Sequence, residues 1–273
     1  MQLVDIGANL SHASFRDDLD AVVARARQAG VVQIIVTGTT VDESRHAADL
    51  SSNNDFLFST AGVHPHHARD CGPDTIPALR ELAKHPRVVA IGECGLDFNR
   101  NYSPHPDQEK WFVAQLELGI ELTKPLFLHS RDAFPRFSQI ISSLKPEKAV
   151  AHCFTGSAEE LRSYLDLGLY IGITGWICDE RRGAHLLELL KEIPRDKLLL
   201  ETDAPYLTPR DLRPQPKARR NEPAFLPHIA RAVAKALNRP VEDLAVETAT
   251  NARRLFGLNE PLSSPAAKRA LAA

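Results

Sequence analysis

The sequence predicts an α/β fold, a single TIM-type (β/α)8 barrel. Eight short apolar runs, rich in Val, Ile and Leu, recur along the chain and read as strands. Longer stretches separate them, with apolar residues three and four apart, and read as helices. The 273 residues also match the length such a barrel needs, about 250 in one domain.

The first run covers residues 3–6 and leads into a helical stretch at 16–29, where Leu19, Val22, Val23 and Ala26 share one face. The same pairing repeats seven times: 32–36 with 42–51, 57–62 with 75–84, 88–92 with 108–122, 125–128 with 132–142, 149–151 with 158–167, 169–172 with 181–191, and 198–201 with 228–237. Regular alternation implies parallel strands, because a parallel pair needs a crossover long enough to hold a helix. Eight units favour closure, which removes exposed strand edges. A further helix is expected at 241–255, on the outside of the barrel. The expected domain covers 1–260. The small, polar and basic residues of 261–273 are expected to form a flexible tail.

Composition narrows the function classes. The chain is 43% hydrophobic and 25% charged, which is ordinary for a globular protein in water. Its formal net charge of −2 argues against a protein that coats long duplexes. Any contact with nucleic acid should therefore be local, at a cleft. No apolar run approaches the ~20 residues that span a bilayer. The first residues read as a strand and not as a signal peptide, so the expectation is a cytoplasmic protein without membrane contact, and a monomer. The cysteines at 71, 94, 153 and 178 form no CxxC pair. That spacing disfavours a thiolate zinc site or a redox pair, and the thiols read as reduced and partly buried.

In a barrel of this kind the active site forms on the loops that follow the strands. The third strand ends in GVHPH (62–66), the fourth in GECGLD (92–97), the fifth in HSRD (129–132), the sixth in HCFTG (152–156) and the eighth in ETDAP (201–205). Imidazoles and carboxylates thus gather at one end of five strands. Bringing them together unpaired would cost several kcal/mol per charge, on the order of 3–5. A divalent cation at their centre removes that cost. Glu201 and Asp203 are two apart on one strand and share a face. Asp203 lies nearer the mouth and suits direct metal binding. Glu201 lies deeper, where it would orient a ligand histidine from behind, or form a polar layer in the barrel floor.

These strings resemble the TatD family of metal-dependent nucleases. The matching segments are STAGVHPH (59–66), AIGECGLDF (90–98), HSRDA (129–133), HCFTG (152–156), YIGITGWICDERRG (170–183), ETDAPYL (201–207) and RRNEP (219–223). The likeness runs from about residue 4 to 258. It implies a barrel of the metal-dependent hydrolase group that cleaves phosphodiester bonds in DNA, with magnesium favoured and manganese or another divalent ion possible. It further implies 3′–5′ exonuclease action on single-stranded DNA, extending to RNA, and a role in DNA repair. The metal ligands implied are Glu93, His129, His152 and Asp203, with His64 facing the scissile phosphate. One departure stands out. The wider family opens with a His-x-His pair after its first strand, where this chain has Gly7 and Asn9. Fewer imidazoles shift preference from zinc towards oxygen-loving magnesium or manganese and leave the metal count open.

The catalytic candidates are Asp203, His64 and Glu93. Asp203 would accept a proton from the attacking water. His64 would contact non-bridging oxygens or protonate the leaving oxygen. Residues 209–220 hold Arg210, Arg213, Lys217, Arg219 and Arg220 against Asp211 alone. That local positive field suits a few phosphates, with Arg210 and Arg213 the favoured contacts. Arg100 and Asn101 are further phosphate candidates. Tyr206, Trp176 and Phe98 are candidates for stacking on bases or for packing. Two rivals are weighed. A barrel amidohydrolase acting on C–N or ester bonds usually needs the His-x-His pair and often a strand-four lysine; Gly7, Asn9 and Glu93 argue against it. A non-catalytic scaffold predicts lost ligands, whereas four stand in place.

Overall fold

The β-branched and leucine-rich runs become strands because each is buried on both faces, as a parallel sheet covered by helices requires. The structure is a computed structural model and describes residues 1–216 and 218–259. The expected tail at 261–273, and Lys217, lie outside the described residues. The strands are β1 (Leu3–Ala8), β2 (Val31–Val36), β3 (Leu57–Ala61), β4 (Val88–Asp97), β5 (Leu126–Arg131), β6 (Ala149–Ala151), β7 (Tyr170–Ile173) and β8 (Leu198–Leu200). They pair in sequence order, and every pair is parallel. Beyond β8 the chain returns to β1. Ala204 bridges Ala8, the Asn9 amide donates to the Ala204 carbonyl at 2.6 Å, and the Asp203 amide donates to the Gly7 carbonyl at 2.8 Å. The result is the nearly closed eight-stranded barrel that the alternation predicts.

The helices are α1 (Leu19–Gln28), α2 (Val41–Ser52), α3 (Thr75–Leu82), α4 (His105–Glu121), α5 (Arg136–Leu144), α6 (Ala158–Asp166), α7 (Ala184–Leu189), α8 (Leu226–Ala236) and α9 (Val241–Phe256). Local chemistry sets their ends. The Thr40 hydroxyl caps α2, and Ser157 with Glu160 forms a capping box on α6. Helix α5 begins four residues later than the spacing suggests, since Pro135 disfavours helical backbone at Phe134. Helix α7 also starts late. The Asp179 carbonyl holds the Arg182 and Gly183 amides in a turn first.

Two differences matter for function. Helix α9 is not on the outer shell as expected. Its Ala252, Leu255 and Phe256 join the inner cluster of Val4, Ile6, Ile35, Phe58, Phe127, Val150 and Leu199. The Asn251 amide donates to the carbonyl of Leu198, the first residue of β8, at 3.0 Å. Helix α9 thus closes the N-terminal end of the barrel, because those apolar interior residues need a cover. Strand β4 is also longer than the apolar run 88–92, reaching Asp97 through a register shift against β5 between Ile91 and Cys94. Gly95 makes this possible: its φ is +151°, and a β-carbon there would run into the His129 carbonyl. The extension carries Glu93 and Asp97 up to the mouth. No helix among the described residues is long and apolar enough to cross a membrane.

Candidate metal centre and nucleic-acid cavity

A cavity of about 750 Å³ opens at the C-terminal end of the barrel. It is lined by His64 after β3, Glu93 and Asp97 on β4, His129 on β5, His152 after β6 and Asp203 after β8. The sequence-predicted residues therefore meet in one place. Asp203 and Cys153 both adopt left-handed backbone, with φ of 54° and 47°. Such conformations are costly for non-glycine residues and recur at functional sites.

Glu93 is the centre of the cluster. Its Oε1 lies 3.2 Å from His64 Nε2, 3.0 Å from His129 Nδ1 and 2.8 Å from His152 Nε2. One carboxylate oxygen offers two lone-pair directions, so three ring nitrogens oversubscribe it. His129 Nε2 is buried without a hydrogen-bond partner among the described residues. A divalent ion drawing lone pairs from the carboxylate and the ring nitrogens beside it resolves the first conflict; His129 Nε2, the nitrogen turned away from Glu93, has the Asp97 carboxylate 3.4 Å away. The residues therefore fit the metal that the chemistry requires, and His64, Glu93 and His129 offer ligand atoms within 4.8 Å of one another. Asp203 faces the cluster from the β8 side, held by the Asn9 amide at 3.0 Å.

Charge states follow from burial and neighbours. Burial pushes the Asp203 carboxyl up to about 7; Glu93 and Glu201 add to the rise, while His152 opposes it. Burial lowers His64 to about 4, with Glu93 opposing and His129 and His66 assisting. For Glu93 burial acts upward, but His152, His64 and His129 outweigh it and hold the group well below its ordinary value. His152 goes the other way. Burial lowers it, yet Glu93 and Glu201 together raise it well above an ordinary imidazole.

Behind the cluster, Glu201 is completely buried. Its Oε1 accepts the Cys153 amide at 2.5 Å and its Oε2 lies 3.4 Å from His152 Nδ1. Gly7 and Gly172 leave the space: a β-carbon at either would come within 2.6 or 2.5 Å of a Glu201 oxygen. Gly7 thus replaces an imidazole with room for a carboxylate. Asp5, also buried, accepts the Thr202 amide at 2.9 Å and its hydroxyl at 2.6 Å, pinning β8 to β1.

Three site residues carried no assignment from the sequence. Asp97 receives His66 Nε2 at 2.8 Å, stands 3.4 Å from His129 Nε2 and accepts the Arg100 amide at 2.8 Å. Burial raises its carboxyl, but His129 and His66 outweigh that and hold it low. His66 lies two residues beyond His64 and Asp97 four beyond Glu93, both within the strand-end strings, which was the available signal. Arg131 is the third: it and Arg100 line the cavity, and neither side chain has an ion-pair partner among the described residues.

The rim differs from expectation in detail. Arg210 and Arg213 are not among the cavity-lining residues. Arg210 pairs with Glu180 at 3.2 Å, and the Arg213 guanidinium donates to the carbonyls of Arg210 and Leu212 at 2.8 Å. Arg182 does line the cavity, stacked over Trp176 at 4.3 Å and paired with Asp179 at 3.0 Å. Trp176 and Tyr206 line it too, joined by Tyr102, which is half-exposed. Phe98 stacks on His105 instead, and Asn101 bonds the Phe98 carbonyl at 3.0 Å.

Comparison with known proteins decides the family. The family model described as TatD related DNase matches residues 4–257. The chain belongs to this family. Its TatD relatives include a protein of Pantoea ananatis, 54% identical over 94% of this chain and 100% of that protein, and one of Erwinia amylovora, 55% identical with the same coverage; both carry the name 3′-5′ ssDNA/RNA exonuclease TatD. Among solved structures, a TatD homologue from Escherichia coli K12 matches with a TM-score of 0.87 at 26% identity, covering 94% of this chain and 98% of that one. As a TatD-family protein the chain is a metal-dependent nuclease, a hydrolase of phosphodiester bonds.

Proposed function

We propose that this TatD-family chain is a 3′–5′ exonuclease on single-stranded DNA and RNA, using magnesium, with manganese as an alternative. The convergence of three imidazole nitrogens on one Glu93 oxygen, with Asp203 opposite, carries the reading; the names of its relatives support the substrate. Glu93, His129, His152 and Asp203 would hold the ion. Bound there, it supplies Lewis-acid charge at the phosphoryl group and a more acidic water.

The chain's own residues do the rest. Asp203, with a carboxyl near neutrality and fixed by Asn9, accepts the proton of the attacking water. His64, neutral above about pH 4, hydrogen-bonds the phosphate oxygens without adding charge. Glu201 fixes the ring of His152 and acts as a positioning residue. Arg100 and Arg131 receive the nearest phosphates, and Arg210 and Arg213 meet the strand farther out on the rim. Tyr102, Trp176 and Tyr206 offer faces on which bases stack. We read residues 1–260 as one catalytic domain, working as a cytoplasmic monomer that trims single strands in DNA repair.

The test is digestion of oligonucleotides labelled at the 5′ or the 3′ end, single- and double-stranded, with magnesium, manganese or EDTA. A 5′-labelled single strand should yield a descending ladder that EDTA abolishes. Internal cuts as first products, or a ladder from the 3′-labelled strand alone, would overturn the exonuclease polarity. Digestion that survives EDTA would overturn the metal role.

A further inference from the structure

Cysteine spacing gave no sign of a thiolate metal site, yet the fold assembles three metal-ligating side chains away from the nuclease cavity. Cys178 ends the short turn Gly175–Cys178 that follows β7. Asp211 lies on the segment after β8, and His228 on the first turn of α8. The cysteine sulfur, a carboxylate oxygen and a ring nitrogen all lie within 4.8 Å of one another, and His228 Nε2 is 2.7 Å from Asp211 Oδ1. None of the three lines the nuclease cavity. Exposure is graded: Cys178 is 7% exposed, while the side chains of His228 and Asp211 are 26% and 55% exposed. The sulfur thus forms a floor, and the other two open to solvent, giving an entry path and room for a water ligand.

We propose that Cys178, Asp211 and His228 form a second metal site that takes a borderline divalent ion, zinc foremost. Thiolate, imidazole and carboxylate are the donors zinc prefers, whereas magnesium avoids sulfur. Zinc bonds of about 2.0–2.3 Å in a tetrahedron imply ligand atoms roughly 3.3–3.8 Å apart. The Asp211–His228 pair opens by about half an ångström to admit the ion, and the sulfur closes in by up to roughly 1 Å. Asp211, exposed on its segment, has the freedom to make that move. Binding deprotonates the Cys178 thiol, whose proton leaves to solvent. An ion held there ties the turn after β7, the rim segment after β8 and the start of α8 together. Because that segment holds Arg210 and Arg213, occupancy fixes the rim without entering the phosphodiester chemistry.

The test uses the full chain, stripped with a chelator and then titrated with cobalt(II) as a spectroscopic substitute for zinc. A near-ultraviolet sulfur-to-cobalt charge-transfer band should grow in the wild type and in Cys153→Ser. It should vanish in Cys178→Ser. His228→Gln, at a partly exposed position, should weaken the metal by roughly tenfold or more while circular dichroism stays native. A zinc competition should erase the band. The proposal fails if the folded wild type shows no band, if Cys178→Ser keeps it, or if Cys153→Ser alone removes it, which would put the thiolate in the nuclease cavity. Each readout is independent of nucleic-acid cleavage, so the nuclease assignment stands or falls separately.

Discussion

Glu201 reaches His152 from behind, its Oε2 3.4 Å from the ring Nδ1, so that the other nitrogen, Nε2, is turned to Glu93 at 2.8 Å. A buried carboxylate in this position fixes which nitrogen faces an incoming metal and raises its basicity. Glu201→Gln keeps the shape and loses the charge. Metal affinity should fall by roughly 10–100-fold, with activity recovering at high metal. Isothermal titration with manganese, beside kcat at saturating metal, checks it; unchanged affinity would mean that Glu201 only fills the barrel floor.

The same carboxylate depends on two missing side chains. Gly172→Ala places a β-carbon 2.5 Å from Glu201 Oε1. The Glu201 side chain is completely buried and also accepts the Cys153 amide, so it has little room to move. The variant should lose about 1–3 kcal/mol of stability and bind metal more weakly. Urea unfolding with and without manganese measures both effects.

Asp203 links metal binding to pH. Its carboxyl is raised from 3.8 to about 7 by burial first, then by Glu93 and Glu201. Below that value a proton occupies the group, and a cation must displace it. Apparent metal affinity should therefore fall by about tenfold or more per pH unit as pH drops below 7, since His152, held protonated above the ordinary imidazole value, must give up its proton as well. Asp203→Asn should make this dependence shallower by about one proton, leaving the part due to the histidines, and lower kcat by roughly 10²–10⁴ while the fold persists. A wild-type affinity that is flat between pH 5 and 7 would contradict the coupling.

Much of this architecture was readable from residue order, because each strand is a β-branched run and each crossover an amphipathic helix. Strand-end His64, His129, His152 and Asp203 were readable for the same reason: position after a strand predicts position at the mouth. Asp97 stood in the strand-four end 92–97 but drew no role, since Glu93, Gly95 and Asp97 break the apolar run and hide that β4 itself extends to it. The rim was not readable either. Charge counting favoured Arg210 and Arg213, but ion pairs with Glu180 and contacts to loop carbonyls occupy them. Which arginine faces the cavity depends on loop geometry that composition does not encode. Helix α9 likewise reads as one more amphipathic helix, and its place under the barrel follows only from what the interior leaves uncovered.

Arg100 and Arg131 are the cavity arginines without carboxylate partners among the described residues. Phosphate contacts of that kind release counterions on binding. Arg100→Ala and Arg131→Ala should each raise KM with little change in kcat, and reduce the salt slope of single-strand binding by about 0.7. Arg213→Ala should do less. Equal effects at all three positions would place the strand across the rim instead of into the mouth.

Asp5 tests the seam where the barrel closes. It is fully buried and accepts from the Thr202 amide, the Thr202 hydroxyl and the Gly7 amide. Burial raises its carboxyl from 3.8 to about 8, against the lowering effect of those hydrogen bonds. The folded state therefore keeps a proton that the unfolded chain gives up near its ordinary value. The stabilisation is fully present at pH below about 4 and is lost as pH climbs towards 8, because the folded form binds more protons throughout that window. Asp5→Asn retains the oxygen for the two amides and supplies a donor to the hydroxyl, without a charge to bury. In EDTA, where no metal acts on Asp203, the wild-type Tm should fall more steeply with pH than that of Asp5→Asn, and the two curves should run parallel above about pH 8. Parallel curves across the whole range would show that Asp5 stays ionised at the seam.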